Sequence, residues 1–117
     1  MWDNSSDISV YLAVGSTDMR KQINSLAILV EQHMNLSPFS GSVFVFCNRR
    51  RSTVKALYWD RNGFCLWQKR LEKDRFRWPQ SREEVLRISA RQLRWLLEGL
   101  ELVQGNAHGQ LQYASVT

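Results

Sequence analysis

Apolar positions recur along the chain with two periods, and the switches between them mark the elements. Ile8, Val10, Leu12 and Val14 fall on one face of an extended segment and predict a first strand. Gly15-Ser16-Thr17-Asp18 interrupts it, and Thr17 or Asp18 offers a side-chain oxygen to cap a helix. From there Met19, Ile23, Leu26, Ala27, Val30 and Met34 trace one helical stripe, so that face belongs to the core. Pro38 pushes its predecessor out of helical geometry and closes the helix upstream of a loop over 35–41.

Ser42 to Cys47 is apolar on both faces, which suits a central strand. Thr53–Trp59 and Phe64–Leu71 follow as two further strands around Asp60-Arg61-Asn62-Gly63, a tight-hairpin signal. A loop of Asn62-Gly63 alone sets Trp59 opposite Leu66. A bulge at Gly63 sets it opposite Cys65, and both registers stay open. Arg75-Phe76-Arg77-Trp78 alternates charge and aromatic and reads as an edge strand stopped by Pro79. Residues 80–86 read as a polar, acidic loop or a single turn. Ser89 and Gln92 then form a capping box for a second helix, whose buried face is Leu93, Leu96, Leu97 and Leu100 and whose stop is Gly99. The expected fold is α+β: an antiparallel meander of four to five strands with two helices packed on it, both on one face. Residues 8–104 make one domain, with a disordered start at 1–7 and a flexible tail at 105–117.

Charge changes this picture. Arg49, Arg50, Arg51, Lys55, Arg61, Lys69, Arg70, Lys73, Arg75 and Arg77 face only Asp60, Glu72 and Asp74 within 49–77, a surplus larger than the +5 of the whole chain. Clustered cations of this kind attract polyanions, and these ten are the candidate nucleic-acid contacts. Trp59, Trp67 and Trp78, interleaved with them, are candidates for stacking on unpaired bases. Arg20 and Lys21, in the first turn expected of the first helix, are a candidate phosphate contact. Arg91, Arg94 and Trp95 on the second helix form a candidate protein interface.

Other chemistry finds little footing. Two histidines (His33, His108) and two cysteines (Cys47, Cys65) show no metal-ligand spacing, and no cofactor is expected. The cysteines read as reduced and apolar, as in a cytoplasmic protein. No run of apolar residues is long enough to span a membrane, and residues 1–7 lack a secretory signal pattern. Two-metal strand transfer needs converging carboxylates. Asp18, Glu31, Asp60 and Glu72 each read instead as a cap, an exposed helix position or a turn residue, so no enzymatic activity is expected.

Several linked segments carry a resemblance. They are 10–21 (VYLAVGSTDMRK), Pro38-Phe39-Ser40-Gly41 with Val43-Phe44-Val45-Phe46, and Asn48-Arg49-Arg50-Arg51. Then come 54–60 (VKALYWD) with Asn62-Gly63-Phe64-Cys65-Leu66, Lys69-Arg70-Leu71-Glu72, Phe76-Arg77-Trp78-Pro79 and Leu96-Leu97-Glu98-Gly99. From about Val10 to Glu101 the chain resembles the TnpB-type accessory protein of the insertion-sequence-66 family, the product of the short second reading frame. The resemblance implies a helper in DNA transposition, encoded beside a larger transposase that carries the catalytic carboxylates. It implies no catalytic residues here. DNA is the expected partner, with the transposase or another helper protein as the alternative.

Overall fold

The strand–helix–strand unit at the front of the chain sets the sheet. β1 (Val10–Ser16) leads through α1 (Ile23–Gln32) into β2 (Val43–Cys47), and the two strands run parallel, Val10 beside Val43 and Ser16 beside Cys47. Parallel neighbours need a long crossover, and α1 supplies it. The structure, a computed structural model, describes residues 8–102. The expected start at 1–7 and tail at 105–117 lie outside those residues. β3 (Thr53–Asp60) and β4 (Gly63–Arg70) continue from β2 as an antiparallel meander. β5 (Val85–Ile88) returns to the opposite edge, antiparallel to β1, and α2 (Ala90–Leu97) follows. The order β4-β3-β2-β1-β5 is an α+β fold on a mixed sheet, which corrects the purely antiparallel expectation.

β2 is the middle strand and all five of its residues are buried, as its apolar run required. Its alternate side chains feed two separate cores. Phe44 and Phe46 join Leu26 and Val30 of α1 with Leu57. Val43, Val45 and Cys47 join Leu93, Leu96 and Leu97 of α2 with Phe76 and Trp78. The helices therefore cover opposite faces rather than one, because a sheet apolar on both sides needs two covers.

Three local expectations also change. Residues 75–78 are not a strand. Phe76 and Trp78 anchor an extended segment to the α2 core, tied to the sheet by the Phe76 N–H donating to Arg51 O (2.8 Å). The segment expected as a loop over 80–86 ends in β5, whose Leu86 and Ile88 are buried. α1 begins four residues later than Met19, behind an extended Gln22 that makes no side-chain cap. α2 follows its sequence closely. Ser89 Oγ accepts from the Gln92 N–H and Gln92 Oε1 from the Ser89 N–H. Gly99 at φ 85° closes the helix, although Leu100 is 41% exposed.

Candidate nucleic-acid interface

Antiparallel returns bring distant cations to one end of the sheet. The turn 48–52 joins β2 to β3, and Thr53 pairs with Arg70, so the close of β4 lies beside that turn. The segment after β4 stays there, with Leu71 N–H donating to Ser52 O and Phe76 N–H to Arg51 O. Arg49 and Arg50 stand exposed on the turn, where Asn48 Oδ1 accepts from the Ser52 and Thr53 amides and fixes its shape. Arg70, Lys73, Arg75 and Arg77 are exposed along the following segment. Alternation explains the last two, because burying Phe76 and Trp78 turns their neighbours outward. Lys73, Arg75 and Arg77 line a groove closed on its far side by Glu98 and Gly99 of the α2 terminus. Of these six cations only Arg70 enters an ion pair among the described residues, with Glu72 at 3.3 Å.

The other four cations of the stretch do different work. Lys55 is buried on the α1 side of β3, and its Nζ donates to Met19 O (2.8 Å) and Lys21 O (2.7 Å). Lys69 Nζ donates to Leu97 O (2.8 Å), one of the carbonyls a helix end leaves over. Arg51, at φ 61°, reaches Val14 O and Asn48 O and lies over the Trp78 ring at 5.8 Å. Lys55 and Arg51 hold loops to the sheet, and Lys69 holds the end of α2 to it. Arg61 sits at the opposite hairpin, roughly 25 Å away along β3. Arg20 and Lys21 precede α1 instead of occupying its first turn. Arg20 is clamped to Asp18 by side-chain contacts down to 2.7 Å and by its own N–H. These hydrogen bonds lower the Asp18 pKa to about 2.

The aromatic candidates are dispersed. Trp78 is buried with its Nε1 donating to Ala13 O (3.1 Å), so its ring is not open to a base. Trp67 is half-buried against the α2 core. Trp59 packs edge-on to Phe39 (5.1 Å) and Phe64 (5.0 Å) at the hairpin end, away from the basic turn. Phe39 there is 57% exposed, and no local pattern signals that it meets Trp59. On α2, Arg91 and Arg94 are exposed and Trp95 is half-buried.

The family profile described as IS66 Orf2 like protein, TnpB_IS66, matches residues 8–107. The chain belongs to this family. Two relatives from Sinorhizobium fredii (strain NBRC 101917 / NGR234) are similar along most of their length. Uncharacterized protein y4hO is 39% identical over 101 residues, spanning 86% of this chain and 88% of its own. Uncharacterized protein y4jC is 30% identical over 97 residues, spanning 83% of each. No solved structure matches the chain. Membership in the IS66 Orf2-like family implies a transposition-related accessory protein.

The four candidate carboxylates of this IS66 Orf2-like chain do not converge. Asp18 lies in the β1–α1 loop, Glu31 on the outer side of α1, Asp60 at the hairpin and Glu72 beside Arg70. No three of His, Cys, Asp and Glu are grouped so as to hold a metal ion among the described residues. Both cysteines are free, and burial pushes the Cys47 thiol up to about 11. No helix among the described residues is long and apolar enough to cross a membrane.

Proposed function

We propose that this protein is a non-catalytic accessory factor of IS66-type transposition that acts in the cytoplasm and holds nucleic acid against the basic end of its sheet. One observation carries the reading: Arg49, Arg50, Arg70, Lys73, Arg75 and Arg77 gather, exposed, around the turn 48–52 and the segment behind it. Phosphate contacts from such side chains position a strand without reading its sequence. The test is a fluorescence-anisotropy titration with labelled duplex and single-stranded DNA. Six contacts lower affinity on the order of 10³-fold between 50 and 200 mM salt. Charge reversal of Arg75 and Arg77 should weaken binding severalfold, while reversal of Arg91 and Arg94 should leave it unchanged. A flat salt response, or equal loss from both pairs, overturns the reading.

A different observation favours an adaptor for the transposase or another helper. Phe39, Trp59 and Phe64 form an aromatic cluster, with Phe39 protruding, at the end away from the six gathered cations. Aromatic side chains of this kind anchor protein interfaces. Co-purification with the transposase at high salt after nuclease treatment, lost on Phe39→Ser, supports it.

A further inference from the structure

Among the described residues β4 is the outermost strand of the sheet, and its outer side is set in phase by the hairpin. Asp60 and Gly63 flank a two-residue loop and exchange hydrogen bonds. Alternation from that pair turns the backbone N–H and C=O of Phe64, Leu66, Gln68 and Arg70 away from β3. The Leu71 N–H donating to Ser52 O at the far end keeps the same phase. Natural edges are blunted by shortness, bulges, proline or charge. β5, the other edge, has four residues and carries Arg87. β4 has eight, pairs with β3 without a register shift and contains no proline. Its cations are confined to the last two positions, and Gly63 to Trp67 are uncharged and half-buried.

We infer that β4 pairs antiparallel with β4 of a second copy, joining two five-stranded sheets into one. Phe64 and Leu66 face the α1 side, and Trp67 faces the α2 side. A twofold axis perpendicular to the sheet must keep those sides aligned, so only residues of like parity face each other. Centring the axis on Leu66 sets Leu66 opposite Leu66, Phe64 opposite Gln68, and Cys65 opposite Trp67. Lys69 then meets Gly63 of the second copy, so no cation faces a cation. Parallel pairing would stack Lys69 and Arg70 on their counterparts and bring the two basic ends together, at a repulsive cost. Charge placement therefore selects a second copy in the antiparallel sense. The two basic ends then point in opposite directions from the seam.

Light scattering on the full chain across a concentration series should show a species of twice 13.7 kDa that dissociates on dilution. Gln68→Pro removes an outward N–H and spares the β3 ladder, so it should give a folded monomer by circular dichroism. Leu66→Cys in a Cys65→Ser background should form an intermolecular disulfide on mild oxidation, because facing hydrogen-bonded residues lie about 5.5 Å apart. A chain that stays monomeric at every concentration and fails to cross-link overturns the inference, as does a dimer that survives Gln68→Pro. A monomer whose Leu66 and Gln68 amides resist hydrogen exchange also overturns it, since the chain would then be covering its own edge.

Discussion

Lys55 is 2% exposed, yet its ammonium donates twice to the backbone of the loop that leads into α1. That loop has no side-chain cap at Gln22, so a cation reaching across from β3 replaces local chemistry as its anchor. Lys55→Met keeps the aliphatic stem and leaves Met19 O and Lys21 O without their donor. Urea unfolding should show a loss of about 2–4 kcal/mol with an unchanged slope; a loss below about 1 kcal/mol would mean the loop is held by other means. Asp18 offers a second test at this scale. Its folded pKa lies below the ordinary 3.8, chiefly through the Arg20 side chain and then the Arg20 N–H. A depressed carboxylate contributes above its unfolded pKa and loses that contribution as pH falls through the folded one, here between about pH 4 and 2. Carboxyl NMR should find Asp18 titrating near 2, and Arg20→Ala should return it toward 3.8. The role of Lys55 was not legible in the sequence, because a lysine inside a basic stretch reads as one more surface charge until β3 is placed beneath the loop.

Elements were legible wherever local chemistry decides them. The capping box and terminal glycine of α2 operate as the residues suggest, so Ser89→Ala should cost about 1 kcal/mol in thermal or urea unfolding, and Ser89→Asp should restore most of it. The hairpin was legible as a turn but not in register. Arg61, at φ 57°, takes the left-handed position ahead of Asn62, so Trp59 pairs with Phe64 and neither sequence-based register holds. Asn-Gly signalled where the chain reverses, but packing of Trp59 and Phe64 on Phe39 is long-range and invisible to a local pattern. β5 escaped because its ladder hydrogen bonds go to β1, seventy-odd residues earlier, and Val85 to Ile88 holds only four residues of pattern. Arg75 to Trp78 misled for the opposite reason. One face buried and one exposed is the strand signature, and a segment lying against a core acquires it without a ladder.

At the scale of the molecule, the sequence located the charge and the structure sorted it. Ten cations in one stretch become six around a single end, three that bind backbone carbonyls and one at the far hairpin. Antiparallel return does the gathering, since Arg49 and Arg70 are distant in sequence but flank the same strand ends. The predicted salt dependence belongs to this scale, because it counts cations presented together rather than cations present. The sheet order has one more consequence, for the chain as it is made. β2, β3 and β4 are contiguous and can close while later residues are still being synthesised. β1 pairs on one side with β2 but on the other with β5, and its Val10 and Leu12 are covered by a helix that emerges last. The newborn protein must therefore wait, with its first strand half-covered, until residues near 97 have left the ribosome.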